Sequence, residues 1–192
     1  MPVIAQLILA GMAMALPAAA PPRTGKAVAC RYPVPGGDMT RARACGWIDR
    51  RGRAHLDPRI LDRIDYDPAG LAPVWLGGWH YVRRDGRTAP VMAYDNGAEA
   101  FSDGLARSRI GGRIGYIGTD LELAIPAQFD GAFPFEHGRA VVCIGCRPRR
   151  YGEHHYYTGG RWGCIDPSGQ PLRPLRVLAE GEGGAAMCEP RA

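Results

Sequence analysis

The chain has no Gly-x-Ser-x-Gly elbow, no His-Glu-x-x-His pair and no Gly-rich phosphate loop anywhere in its 192 residues. The common local signatures of acyl transfer, zinc proteolysis and nucleotide binding are therefore missing. Lysine is nearly absent too: Lys26 is the only one, so the formal net charge of +5 is carried by arginine. Long apolar runs are missing beyond the amino terminus, where Val3 to Leu16 is broken only by Gln6. That run is shorter than a membrane-spanning helix needs, and the mature chain is expected to have no stable membrane span. No long polar linker divides the sequence, and its length suffices for one sizeable core.

What the amino terminus does have is the pattern of an export signal. The apolar run is followed by Pro17 and the small residues Ala18, Ala19 and Ala20, so residues 1–20 read as a signal peptide and the location as periplasmic or secreted. The competing reading is an uncleaved anchor or a buried strand, since no Lys or Arg precedes Arg23. Ala27-Val28-Ala29-Cys30 looks like a lipoprotein box, but Pro21, Pro22, Arg23 and Lys26 separate it from the apolar run that it should abut.

The interior is organised by repetition. Cys45-Gly46-Trp47-Ile48, Trp79-His80-Tyr81-Val82, Ile114-Gly115-Tyr116-Ile117 and Trp162-Gly163-Cys164-Ile165 are versions of one phrase, with successive starts 34, 35 and 48 residues apart. Seven positions after each start stand Gly52, Gly86, Leu121 and Gly169, mostly in turn-forming strings such as Asp85-Gly86 and Ser168-Gly169. A proline with an aspartate beyond it follows (Pro58 and Asp62, Pro90 and Asp95, Pro126 and Asp130). An aromatic then precedes a glycine and a small-residue strand (Tyr66 and Gly70, Phe101 and Gly104, Phe135 and Gly138). A period near 34 also suits helical repeats. Here 27 glycines and 17 prolines puncture every stretch long enough for a helix, and the apolar runs are short and β-branched. The best helix candidate is the short Pro58–Ile64 stretch.

The phrases in register resemble the WG-repeat family, with Trp162-Gly163-Cys164-Ile165-Asp166 and Ile125-Pro126-Ala127-Gln128-Phe129-Asp130 as the nearest matches. The resemblance covers roughly residues 45 to 175. It departs at Cys45 and Ile114 in place of tryptophan and at His80 in place of glycine, which predicts different packing in those copies. It implies a β-rich repeat module of bacterial proteins, with no catalytic residues or cofactor to carry over. The expected fold is all-β, about four stacked β-hairpin units with little helix. The expected division is a signal peptide over 1–20, a lead-in strand and loop over 21–44, and a WG-type β-repeat domain over 45–192.

Six cysteines behind an export signal point to disulfides. The strand Gly25-Lys26-Ala27-Val28-Ala29-Cys30 echoes Gly138-Arg139-Ala140-Val141-Val142-Cys143, and each leads into a copy of the phrase carrying another cysteine. This register predicts Cys30 with Cys45 and Cys143 with Cys164, leaving Cys146 with Cys188. Cys143-x-x-Cys146 followed by His154 and His155 also admits a zinc or redox reading. Zinc is disfavoured because residues three apart on a continuous strand face opposite ways, and redox because such a motif belongs at a helix amino terminus, which Pro148 and the following arginines do not resemble.

The histidines His55, His80, His137, His154 and His155 are scattered, and no nucleophile, base and orienting group converge in the sequence. Recurrent Asp62, Asp95 and Asp130 read as turn residues rather than cation ligands. Trp79, Tyr81, Tyr116 and Trp162 read as an internal seam between stacked units rather than a sugar platform. Arg41, Arg43, Arg50, Arg51 and Arg53 read as solvated hairpin tips rather than a basic patch. The stretch that lengthens the last interval differs: Arg147, Arg149, Arg150, Tyr151, His154, His155, Tyr156 and Tyr157 combine cations with polar aromatics on a segment that the repeat does not require. It is the candidate binding site of a non-enzymatic module that interacts with another protein or with a cell-envelope component. Nucleic acid is disfavoured by export. The alternatives are a metal-binding or redox envelope protein using Cys143 to His155, and a glycan-binding protein using exposed aromatics.

Overall fold

The computed structural model describes residues 25–152, 154–179 and 182–188; the expected signal peptide lies outside them. The chain is nearly all β, as the glycine and proline punctuation predicts, and is built from antiparallel sheets. Its first part forms β1 (Lys26–Pro33), β2 (Met39–Ile48), β3 (Ala54–Leu56), a single-turn helix α1 (Pro58–Leu61), β4 (Leu71–Trp75), β5 (Trp79–Arg83) and β6 (Thr88–Pro90). These strands make one six-stranded sheet in the order β3-β2-β1-β4-β5-β6. The short β7 (Ala93–Tyr94) and β8 (Gly97–Ala98) pair as a hairpin. Then come β9 (Leu105–Ile110), β10 (Arg113–Gly118) and β11 (Leu123–Phe129), a three-stranded sheet with β10 in the middle. The last sheet contains β12 (Gly131–Ala132), β13 (Ala140–Ile144) and, beyond the separate hairpin of β14 (Arg147–Tyr151) and β15 (His154–Thr158), β16 (Arg161–Ile165).

One unit is a three-stranded meander with the repeated phrase as its central strand. The phrase strand pairs with the small-residue strand before it and with the proline strand after it: β5 lies between β4 and β6, and β10 between β9 and β11. In the first unit β2 lies between β1 and β3, so from Lys26 onward the lead-in segment is part of that meander. In the fourth, β16 pairs with β13 and bridges to Pro171. The phrase recurs most visibly because a central strand is constrained on both sides.

The turn after each phrase has the same geometry in all four units. Gly52, Gly86, Leu121 and Gly169 all have positive φ (78°, 85°, 64° and 81°), and each donates its N–H to the carbonyl three residues back. Leu121 therefore adopts the left-handed conformation that glycine takes at lower cost. An aspartate completes each turn by accepting backbone N–H bonds, as Asp49 does from Arg51 and Arg53 and Asp166 from Ser168 and Gln170. Those bonds favour the ionised form. The His55 ring first, and then the Arg53 amide, hold the Asp49 carboxyl well below the usual carboxylate range.

Units are joined by contacts that themselves repeat. Tyr81 donates its hydroxyl to the Glu99 carbonyl at 3.1 Å, and Tyr116, one unit on, donates to the Phe133 carbonyl at 2.7 Å. Each ring also packs on the next aromatic, Tyr81 on Phe101 and Tyr116 on Phe135, both at 4.8 Å between centroids. Burial pushes the Tyr116 hydroxyl far above the ordinary tyrosine pKa. The apolar core is thus a seam. One cluster holds Tyr32, Val74 and Val82, a second Tyr81, Ala106 and Ile117, a third Tyr116, Phe129 and Phe135. Trp162 joins Cys143 and Cys146 in a fourth cluster at the carboxyl-terminal end. Trp79 packs at the edge of the seam, against the second cluster. It is half-buried beside Trp75, because the third unit covers the sheet from Tyr81 onward and leaves the start of β5 at the margin.

The cysteines stand in three pairs at disulfide distance: Cys30 with Cys45, Cys143 with Cys146, and Cys164 with Cys188, with Cα separations of 6.0, 5.9 and 5.0 Å. The first is the expected pair, and the other two replace the expected Cys143–Cys164 and Cys146–Cys188. The register explains the change. Cys143 lies opposite Trp162 and Cys164 opposite Val141, so the two cysteines are diagonal neighbours and do not face one another. β13 ends at Ile144, and Gly145 with φ 76° turns the chain so that Cys146 returns over Cys143. Proteolysis without reduction should yield one peptide containing both Cys143 and Cys146, closed on itself, and a separate cross-link between the Cys164 and Cys188 peptides. A recovered Cys143–Cys164 cross-link would refute this pairing.

Candidate functional site

The inserted hairpin is a regular two-stranded ladder. Arg147 lies opposite Thr158, Pro148 opposite Tyr157, Arg149 opposite Tyr156, Arg150 opposite His155 and Tyr151 opposite His154. Alternation along the strands puts Arg147, Arg149 and Tyr156 on one face, and Pro148, Arg150 and Tyr157 on the other. Arg147, Arg149 and Arg150 are exposed, and Tyr156 is 46% exposed. Of Tyr151, His154 and His155 only the backbone lies within the described residues. Arg150 is partly committed, since its Nε donates to the Gly152 carbonyl at 2.9 Å.

Tyr157 holds the hairpin to the body. It is half-buried, its ring is edge-on to Phe133 at 6.2 Å, and it packs on the cluster of Cys143, Cys146 and Trp162. Gly131 makes the room: a Cβ there would fall 2.6 Å from the Cys143 Sγ and 2.9 Å from the Tyr157 ring. The hairpin base is therefore fixed by the Cys143–Cys146 pair, by Tyr157, and by Asp130, which accepts the Gly145 N–H at 2.6 Å. Of the eight sequence candidates, Tyr157 is an anchor, while Arg147, Arg149, Arg150 and Tyr156 form the accessible surface.

Two of the histidines have local partners. His55 bonds Asp49 at 3.0 Å and stacks on Trp47 at 5.2 Å. His80 bonds the Gly78 carbonyl at 3.0 Å, and its burial lowers its pKa. Among the described residues no group of three or more His, Cys, Asp or Glu stands together as a metal site.

A second surface was missed by sequence reasoning. Trp75 and Trp79 meet edge-to-face at 5.5 Å, and the Arg31 guanidinium lies over both, 5.3 and 5.7 Å from their ring centroids. It depends on β1 pairing with β4 at Arg31 and Trp75, a contact between units that no local pattern announces.

These features define an all-β protein of stacked three-stranded repeats, with one hairpin inserted in the fourth. Residues 114–145, which span the central and proline strands of the third unit and run through β13, match the family model described as WG containing repeat. The chain therefore carries the WG repeat that its phrases resemble. No curated protein and no solved structure matches it.

Proposed function

We propose that this protein is a non-enzymatic, exported binding module of the bacterial cell envelope that engages a partner through the β14–β15 hairpin. The observation that carries this reading is the contrast between the hairpin's base and its surface. Tyr157 and the Cys143–Cys146 pair fix the base, whereas Arg147, Arg149 and Tyr156 remain exposed on a ladder that the repeat does not need. A rigid scaffold that presents arginine and tyrosine is the usual construction of a recognition surface, because little ordering entropy is lost on binding. Three cysteine pairs at disulfide distance support an oxidising location. The histidines support a non-catalytic reading, with His55 and His80 held by Asp49 and by a backbone carbonyl.

Capture from a native envelope extract with the immobilised full chain tests the proposal. Exposed Arg149 and Tyr156 can be changed to alanine without disturbing the core. The double variant Arg149→Ala/Tyr156→Ala should lose the captured partner, while Arg63→Ala, at an exposed position elsewhere, should retain it. Equal capture by both variants would overturn the assignment. Free thiols and bound metal in the purified protein would instead favour a metal or redox role for the Cys143 to His155 segment.

A further inference from the structure

On the open half of the six-stranded sheet, four neighbouring strands bring five residues together. The register sets Arg31 of β1 opposite Arg41 of β2 and opposite Trp75 of β4, and Trp75 opposite Trp79 of β5. Directly opposed residues share a face. Arg31, Arg41, Arg43 and Trp75 line one concavity. Further along the sheet this face is closed by the third unit, which buries Tyr81 and Ala89 against Ala106 and Ile117. Over β1 and β2 among the described residues it is open: Arg41 and Arg43 are exposed, and Met39 is 43% exposed.

The three arginines gain nothing from one another. Like charges directly across an antiparallel pair repel, and Arg31 faces Arg41, while none of the three arginines makes a side-chain hydrogen bond or ion pair among the described residues. A guanidinium over an indole face is held by the ring quadrupole, which leaves its N–H donors unspent. The backbone beneath is pinned by Cys30 and Cys45, which flank Arg31 and the Arg43 segment and stand at disulfide distance. Arg31, held over two aromatic rings, therefore stands beside two exposed arginines.

We propose that this face binds an acidic polysaccharide, with Trp75 and Trp79 against sugar rings and Arg31, Arg41 and Arg43 taking its anionic groups. Four adjacent strands span about 14 Å at the spacing of a β-sheet, so the surface suits a linear chain lying across them. The arginine fork matches a carboxylate or sulfate bidentately, and an indole offers an apolar face with a polar edge to a ring that is itself amphipathic. The edge-to-face tryptophan pair gives no parallel platform for successive nucleic-acid bases. Both rings are half-buried, which prevents deep insertion into a lipid surface. This site is separate from the β14–β15 hairpin and does not rest on it.

The test is titration of the full chain with polygalacturonate, heparin and neutral dextran, followed by tryptophan fluorescence and calorimetry at two salt concentrations. Binding to polygalacturonate or heparin, weakened by salt and absent for dextran, is expected; which polymer binds distinguishes a carboxylate source from a sulfate source. Arg41→Ala/Arg43→Ala, at exposed positions that leave the core intact, should weaken binding by about tenfold or more, whereas Arg63→Ala/Arg173→Ala, which removes two exposed arginines elsewhere, should leave it unchanged. The proposal is overturned if neither acidic polymer binds, if dextran binds equally, or if the Arg41→Ala/Arg43→Ala protein binds undiminished. Preferential binding to a single-stranded oligonucleotide or to anionic vesicles would also overturn it.

Discussion

Gly115→Ala will lower the free energy of unfolding by about 3 kcal/mol, the upper range for overpacking a close-packed interior, whereas His80→Ala, at the same position of the preceding unit, will cost about 1 kcal/mol, the net worth of one hydrogen bond. The asymmetry follows from the proline strand of each unit. Beside Gly115 the register of β10 on β11 shifts, with Ile114 opposite Phe129 but Tyr116 opposite Ile125. The resulting bulge brings the backbone of β11 over the glycine. A Cβ at Gly115 would lie 2.4 Å from the Ile125 oxygen, 2.7 Å from the Ala127 nitrogen and 2.9 Å from the Ala127 Cα. All three are backbone atoms, so no side chain can swing away. A Cβ at Gly46 would lie at the same 2.4 Å from the His55 oxygen, although β2 and β3 pair in regular register there. Between β5 and β6, with His80 opposite Pro90 and Val82 opposite Thr88, the strands leave room for a side chain. Urea denaturation of both variants, with m-values compared to exclude a change in the unfolded state, measures the difference. Equal losses would mean that the glycine of the phrase is not held by backbone approach.

That comparison also shows which parts of the fold were legible in the sequence. The departure of His80 from the phrase was visible and pointed to different packing in that copy; its cause, how closely the backbone of the proline strand approaches, was not, because that depends on how two strands pair. The turns were legible because their conformation is a local property, and even Leu121 keeps the left-handed geometry of Gly52, Gly86 and Gly169. The first disulfide was legible from the echo between the two lead-in strands, although Cys30 lies opposite Ala42 and Cys45 falls where the register of β1 on β2 shifts. The alternation rule applied to Cys143 and Cys146 assumed a strand that in fact ends before Gly145. Gly145 itself was the signal. In the fourth unit cysteine replaces tyrosine in the phrase: Cys164 occupies the position from which Tyr81 and Tyr116 reach the following unit, and it pairs with Cys188 instead. The inserted hairpin was legible as an interruption of the period, whereas the Arg31, Trp75 and Trp79 surface required a contact between units.

Arg107→Leu is expected to destabilise the protein by about 3 to 5 kcal/mol, the cost of leaving one member of a buried ion pair alone. Arg107 on β9 and Glu99 after β8 are 8% and 3% exposed. The Arg107 Nε donates to one carboxylate oxygen of Glu99 at 2.7 Å, and the Arg107 backbone N–H donates to the other at 3.0 Å. A further guanidinium nitrogen donates to the Ala132 carbonyl at 2.7 Å, on the way into the fourth unit, while the Glu99 carbonyl accepts the Tyr81 hydroxyl of the second. The pair therefore lies where three units meet, and its donors and acceptors are spent on joining them. Replacing arginine alone strands a carboxylate among apolar neighbours and frees the Ala132 carbonyl. Replacing both removes the stranded charge, so Glu99→Leu/Arg107→Leu should be more stable than Arg107→Leu by about 1 kcal/mol or more, because the charge-free pair avoids the desolvation penalty. Chemical denaturation of the two single variants and the double variant closes the cycle. If the double variant is no more stable than Arg107→Leu, the stranded charge is not the source of the loss. The cost must then lie in the bonds to Ala132 and to the backbone, which makes the arginine a strap between units rather than a counter-ion.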